Sequence, residues 1–147
     1  MIIWLTGQPG SGKTTLAKWL LASYPNKGVI VDGDDIREIF SNKDYSEVGR
    51  RKNIDLAQKI AKFLHKKDNV AIVSLVSPYK DQRDEFKSEM GKDLIEVYVH
   101  TTDIRGRESF HVENYQAPTE FFIDIDTTNR PEFETVQELR LKLKAYE

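Results

Sequence analysis

The chain has 147 residues, of which 39% are hydrophobic and 31% charged, and its formal net charge is −2. This length and balance are typical of a single domain, expected to span residues 1–147. The net charge gives no overall basic field for nucleic acid, and the lack of cysteine excludes disulfides and cysteine metal sites. No apolar run approaches the length of a membrane span, and the short apolar N-terminus leads directly into a glycine-rich loop. We therefore expect no membrane partner.

The glycine-rich loop follows the apolar run Met1–Leu5. Its sequence, Gly7-Gln8-Pro9-Gly10-Ser11-Gly12-Lys13-Thr14, matches G-x-x-x-x-G-K-[ST] and precedes a helical pattern. Backbone N–H groups of such a loop surround a phosphate, the lysine reaches the β- and γ-phosphates, and the threonine hydroxyl ligates Mg²⁺. The loop therefore predicts a bound nucleoside triphosphate. The residues expected to contact it are Gly7, Pro9, Gly10, Ser11, Gly12, Lys13, Thr14 and Thr15.

Strand and helix patterns alternate along the chain. Strands are predicted at about 2–5, 29–31, 70–75, 94–99 and 121–125, and helices at about 13–23, 46–67, 77–90 and from 131 onward, with a short one ending near 40. Ser77 is interpreted as a helix N-cap followed by Pro78, and Trp4 and Trp19 as core residues. The alternation predicts an α/β three-layer sandwich with a five-stranded, mainly parallel sheet, of the P-loop NTPase or kinase type.

Polar segments follow four of the predicted strands. They are the phosphate loop, Asp32–Asp35, Ser77-Pro78 and His100–Asp103. Because ligands of parallel sheets bind at the carboxyl ends of the strands, we expect these segments to share one crevice. Carboxylates there can orient an accepting hydroxyl and hold metal-bound water. The alternative is a simple turn in which Asp34 caps the next helix, although Arg37 is expected to face the same crevice.

With these segments in view, the chain resembles adenylylsulfate kinases (APS kinases) over most of its length. The matching pieces are Leu5–Thr15, Val31–Arg37, Phe40-Ser41, Arg50 with Asn53, Val76–Lys80, Ile95–Val99 and Tyr115–Pro118. The resemblance implies transfer of the γ-phosphate of ATP, with Mg²⁺, to the 3′-hydroxyl of adenosine 5′-phosphosulfate (APS). It also implies an enzyme of sulfate assimilation, and the use of ATP predicts that this enzyme is cytoplasmic.

The resemblance assigns roles to individual residues. Asp34 would be the catalytic base or hydroxyl orienter, Thr14 and Asp32 would hold Mg²⁺, with Asp32 acting through water, and Phe40 would stack on the adenine of APS. The residues that would bind the acceptor are Asp32, Arg37, Phe40, Arg50, Asn53, Ser77, Pro78, Tyr79 and Lys80. An alternative for Tyr79 is packing under the helix that it begins.

The chain departs from the family pattern in its lid, expected at about 101–118. The family's long basic lid, with its Gly-Leu-Tyr-Lys-Lys stretch, is absent, and only His100–Asn114 lie between the fourth strand and Tyr115. Arg105 and Arg107 are predicted to act with Lys13 on the transferring phosphoryl group. The alternative is a pair of solvated surface arginines.

Because the lid is short, the sequence leaves several acceptors open. A polynucleotide 5′-hydroxyl, a hydroxylated DNA base, a nucleoside or a small metabolite are alternatives to APS, and a nucleotide-binding regulator without catalysis is another. Self-association as a homodimer is also open.

Overall fold

The computed structural model describes residues 1–146, so the last residue of the predicted domain, Glu147, lies outside the described residues. Five strands form one sheet in the order β2-β3-β1-β4-β5, and every neighbouring pair is parallel. The strands are β1 (Ile2–Thr6), β2 (Gly28–Asp32), β3 (Val70–Ser74), β4 (Leu94–His100) and β5 (Phe122–Asp126). The predicted five-stranded sheet is confirmed.

Five α-helices cover the two faces of the sheet, and two short 3₁₀ helices lie at Gly91–Asp93 and Glu108–Phe110. The α-helices are α1 (Lys13–Leu21), α2 (Gly33–Ile39), α3 (Glu47–Lys66), α4 (Lys80–Met90) and α5 (Glu132–Lys144). Within residues 1–146, no helix combines the length and the apolar character that crossing a membrane requires.

The core consists of two apolar clusters, one on each face of the sheet. Helices α1 and α5 pack on one face, and α2, α3 and α4 pack on the other. Every residue of the central strands β1 and β3 is buried, as expected for parallel strands that are covered on both sides. The predicted three-layer α/β arrangement is confirmed.

The two tryptophans have different environments. Trp4 on β1 is 3% exposed, as predicted, whereas Trp19 on α1 is 44% exposed, so its assignment to the core is wrong. The buried face of α1 is formed by Lys13, Leu16, Ala17 and Leu20. At 3.6 residues per turn, Trp19 lies roughly 110° around the helix from the centre of that face.

The start of α4 also differs from the prediction. The helix begins at Lys80, its N-cap position is Tyr79, and Ser77 has a left-handed backbone with φ of 48°. The interpretation of Ser77 as the N-cap is therefore wrong. Its hydroxyl instead accepts a hydrogen bond from Trp4 Nε1 at 2.9 Å, and the side chain of Gln116 accepts from the Lys80 amide at 2.9 Å.

Candidate functional site

The carboxyl ends of the strands form one edge of the sheet, and the predicted polar segments meet there. In register, Asp32 pairs with Ser74 and His100 pairs with Asp126. The start of the phosphate loop is tied to the segment after β3, because the Thr6 hydroxyl donates to Val76 O at 2.7 Å. The common edge expected from the sequence is therefore present.

The phosphate loop, Gly7–Thr14, depends on glycine for its close contacts. A Cβ at Gly7, where φ is 154°, would lie 2.1 Å from Val99 O. At Gly10, where φ is 83°, a Cβ would lie 3.0 Å from the Cβ of Arg107. The lid thus passes directly over the loop, so a side chain at Gly10 would separate the two.

Lys13 lies inside the loop and is 8% exposed. Its Nζ donates to Gly7 O at 2.8 Å and to Gln8 O at 3.0 Å. Burial and the nearby Arg107 lower the pKa of Lys13 to about 8, and Asp32 opposes that shift. With this pKa, the ammonium group begins to lose its proton slightly above neutral pH. Its partners within the loop are main-chain carbonyl oxygens, which carry no negative charge.

The rest of the loop fits an anion. The Ser11 hydroxyl is buried and has no hydrogen-bond partner among the described residues. Helix α1 has no side-chain cap, so its first N–H groups can turn to a ligand, and Thr14 is exposed in its first turn. Pro9 and Thr15 are half-buried beside it. A phosphate would give the free hydroxyl, the lysine and the helix end a shared partner.

The carboxylates after β2 are arranged around the start of α2. Asp32 is the N-cap residue, and its Oδ1 accepts from the Asp34 amide at 2.9 Å. The N-cap is therefore Asp32, so the alternative in which Asp34 caps the helix is wrong. Asp34 and Asp35 lie in the first turn with exposed side chains. The Asp34 carboxylate is thus open to a ligand at the strand edge.

Arg37 is engaged in the connection between α2 and α3. Its Nη1 donates to Asn42 O at 3.1 Å and to Asp44 O at 3.0 Å, and its guanidinium lies 3.9 Å from the ring centre of Tyr45. Arg37 therefore braces the connection beyond α2, in addition to any contact with a ligand.

The other residues expected on the acceptor side differ in exposure. Phe40 at the end of α2 is 46% exposed, and Arg50 on α3 is half-buried. Asn53 is 5% exposed, and its Nδ2 donates to Gly33 O at 3.4 Å. Its buried Oδ1 has no hydrogen-bond partner among the described residues. Asn53 is thus held against the turn that carries Asp34.

The segment from Ser77 to Lys80 lies deeper than expected. Ser77, Pro78 and Tyr79 are all buried, and the Arg51 guanidinium lies 4.2 Å from the ring centre of Tyr79. Lys80 forms an ion pair with Asp84 at 2.5 Å. For Tyr79 the geometry is that of the alternative interpretation, in which the ring packs under the helix.

The lid arginines have different surroundings. Arg105 Nη1 donates to Gly10 O and Ser11 O, both at 3.1 Å, and Nη2 donates to Thr127 O at 2.9 Å. Arg107 is exposed, and its guanidinium lies 5.3 Å from the ring centre of Phe110. Arg105 therefore anchors the lid to the phosphate loop, whereas Arg107 has its charge available beside Lys13.

The contacts of several residues that support the edge were not predicted from the sequence. The Tyr115 hydroxyl is hydrogen-bonded to the Thr6 hydroxyl at 2.8 Å, and burial raises the pKa of Tyr115 to about 12. The Thr127 hydroxyl donates to Ser11 O at 2.7 Å. A buried ion pair joins Arg83 to Glu96. The signal for that pair was a single charged residue, Glu96, within the apolar run 94–99.

Comparison with known proteins agrees with this geometry. The model of the adenylylsulphate kinase family matches residues 1–117. The adenylyl-sulfate kinase of Clostridium kluyveri is 36% identical over 103 residues, 67% of this chain and 52% of the relative. The probable adenylyl-sulfate kinase of Pyrococcus abyssi is 41% identical over 102 residues, 67% of this chain and 58% of the relative. The matched region thus spans a little over half the length of these relatives.

Solved structures share the fold. The Mycobacterium tuberculosis APS kinase CysC, in complex with AMPPNP and APS, has a TM-score of 0.81 at 22% identity, over 97% of this chain and 96% of that one. Chaetomium thermophilum Kti12, in complex with ADP-AlF3, has a TM-score of 0.71 at 17% identity over the full length of both chains. Since the family model covers residues 1–117, which include the phosphate loop, the Asp32–Asp34 turn and most of the lid, the chain belongs to the adenylylsulphate kinase family.

Proposed function

We propose that the chain transfers the γ-phosphate of ATP to the 3′-hydroxyl of APS. The observation that carries this proposal is the arrangement of a phosphate loop after β1 and an exposed Asp34 after β2 at one edge of a parallel sheet. Family membership and the names of the two kinase relatives support the choice of acceptor.

On the nucleotide side, ATP with Mg²⁺ would supply the phosphoryl group. Lys13 would move its ammonium from Gly7 O and Gln8 O to the β- and γ-phosphates, and the Ser11 hydroxyl would gain a partner. Thr14 would ligate Mg²⁺ directly, and the carboxylate oxygen of Asp32 that does not cap α2 would do so through water. No group of three His, Cys, Asp or Glu side chains within residues 1–146 is arranged for a metal, so Mg²⁺ binding would depend on the phosphates.

On the acceptor side, Asp34 would orient the 3′-hydroxyl and take its proton. The 3′-oxygen bonds to the γ-phosphorus while the bond from that phosphorus to the bridging oxygen breaks, and ADP leaves. Arg107 would neutralise charge on the transferring group, and Arg105 would hold the lid in place for it. These roles use side chains of the phosphate loop, the turn after β2 and the lid.

The acceptor itself would lie between α2 and α3. Phe40 offers an exposed ring for the adenine, while Arg50 and Asn53 on α3 would contact the phosphosulfate or sugar oxygens. Arg37 would fix the connection that carries Tyr45 and also lend positive charge. Ser77, Pro78, Tyr79 and Lys80 would form the floor under the acceptor.

The proposal is tested by the release of ADP from Mg-ATP with and without APS. We expect APS to stimulate release and the product to carry a phosphate on its 3′-oxygen. ATP binding without stimulation by APS would overturn the choice of acceptor. The same assay with nucleosides, small hydroxylated metabolites and 5′-hydroxyl oligonucleotides would then identify the acceptor class.

The short lid favours a second class of acceptor, one that is larger than APS. Residues 101–114 contain a single 3₁₀ turn, and the side chains of Arg107 at the start of that turn and of Phe40 at the end of α2 are both exposed. An acceptor larger than APS would fit such a site.

We further propose that the enzyme acts in the cytoplasm, where ATP is available, and that it forms a homodimer. Sedimentation of the purified chain would give its assembly state.

A further inference from the structure

The side chain of Gln8 in the phosphate loop contacts the lid through both ends of its amide. Its Nε2 donates to Val112 O at 2.8 Å, and its Oε1 accepts from the Val112 amide at 2.9 Å. The two residues are 104 positions apart in the chain. A paired contact of this kind fixes the distance between the Gln8 side chain and the Val112 backbone, and it also fixes the orientation of that backbone.

The other end of the same lid segment is fixed by Arg105. Its guanidinium bonds to the carbonyl oxygens of Gly10, Ser11 and Thr127. Between the two attachments the chain forms a closed turn, in which Glu108 Oε1 accepts from the Arg105 amide at 2.6 Å and Phe110 N donates to Arg107 O at 3.0 Å. The segment from Arg105 to Val112 is therefore a short turn that is held at both ends.

Arg107 lies within this turn and above the phosphate loop. A Cβ on Gly10 would lie 3.0 Å from the Cβ of Arg107, and the charge of Arg107 is close enough to lower the pKa of Lys13. The guanidinium itself is exposed and lies over the ring of Phe110, which belongs to the same turn. Its position over the loop therefore depends on the backbone on either side of it.

We infer that Gln8 is a positioning residue that holds Arg107 over the transferring phosphoryl group. Gln8 acts by fixing the Val112 end of the lid turn, while Arg105 fixes the other end. The inference rests on the proposed function, since it assigns a purpose to the charge of Arg107. It adds a residue of the phosphate loop whose side chain faces the lid and whose main-chain oxygen accepts from Lys13.

The contact has a direct readout in the protein without nucleotide. The Val112 amide donates to Gln8 Oε1, which should slow its hydrogen exchange, so Gln8→Met should raise its exchange rate by about tenfold. Methionine keeps the length of the side chain and removes both hydrogen bonds. Gln137→Met is the matched control, because Gln137 is an exposed glutamine on α5, and it should leave Val112 unchanged.

The link to Arg107 is tested with ADP and aluminium fluoride, which together imitate the transferring phosphoryl group. We expect Gln8→Met and Arg107→Ala each to weaken this binding about tenfold and to leave the affinity for ADP alone within about twofold. The double variant should be no weaker than Arg107→Ala. The kcat for APS-dependent ADP release should follow the same pattern, with KM for ATP little changed.

The outcomes separate this inference from the proposed function. Unchanged Val112 exchange in Gln8→Met, or losses that simply add in the double variant, would overturn the positioning role. Non-additive binding of ADP with aluminium fluoride, in a protein that APS does not stimulate, would uphold the positioning role and overturn APS as the acceptor.

Discussion

Arg83 on α4 and Glu96 on β4 form a buried ion pair, with Arg83 Nε 3.0 Å from Glu96 Oε2 and both side chains at most 3% exposed. Lys87 gives the same carboxylate a second partner at 2.7 Å. Arg83 also donates to the main-chain oxygens of Ser77 and Gln116. The pair thus joins α4 and the end of the lid to the segment in which Ser77 holds its left-handed backbone.

Glu96→Gln should strongly destabilise the fold. The substitution leaves the Arg83 guanidinium buried without its anionic partner, and removing one member of a buried pair costs roughly 3–5 kcal/mol. The measurement is the free energy of unfolding in urea. Asp55→Asn is the control, since it breaks the exposed pair between Asp55 and Lys59 and should cost roughly 0.3–0.5 kcal/mol. Equal effects of the two variants would contradict the structural role of Glu96.

The affinity for ATP should fall as the pH rises above about 8. The phosphates bind the protonated Lys13, whose pKa in the free protein is about 8, so binding above this pH requires uptake of a proton. We expect the Kd to rise about tenfold between pH 7 and pH 9, as measured by calorimetry. Lys13→Met should bind weakly with no such slope, and Lys13→Arg should keep its charge throughout. A flat wild-type profile would show that Lys13 does not titrate there.

Asp34→Asn should abolish turnover and spare ATP binding. The amide cannot take the proton of the accepting hydroxyl, and the loss of a general base lowers kcat by roughly 10²–10⁴. Asp35→Asn is the matched control, because Asp35 is the adjacent exposed carboxylate in the same turn of α2. ADP release and calorimetry on both variants separate chemistry from binding. Normal turnover by Asp34→Asn would exclude the role assigned to Asp34.

The sequence predicted the features that depend on local pattern. The phosphate loop, the buried central strands and the common edge for Asp32 and the loop follow from apolar runs and from the rule for parallel sheets. The prediction for Trp19 is wrong because Trp19, three residues after the buried Leu16, lies beside the buried face of α1 and not on it.

Features that depend on distant contacts could not be predicted. The sequence predicts that Ser77 caps a helix. In the structure its hydroxyl accepts a hydrogen bond from the Trp4 indole, which is 73 positions away in the chain. Gln8 and Val112 meet only because the lid folds back over the loop. Pairing of side chains across such separations is set by the tertiary fold and leaves no periodic signal in the sequence.

Phe40→Ala should weaken the binding of the acceptor without affecting the binding of ATP. Phe40 is 46% exposed at the end of α2, and stacking of a base on an aromatic ring contributes roughly 1–3 kcal/mol. We therefore expect KM for APS to rise by roughly 5- to 150-fold while KM for ATP stays within about twofold. Ile39→Ala is the matched control, because Ile39 is the neighbouring apolar residue, is 67% exposed and has no ring to stack. Equal changes in both variants would show that the ring does not meet the acceptor base, whereas a change confined to Phe40→Ala would locate the adenine of the acceptor at the end of α2.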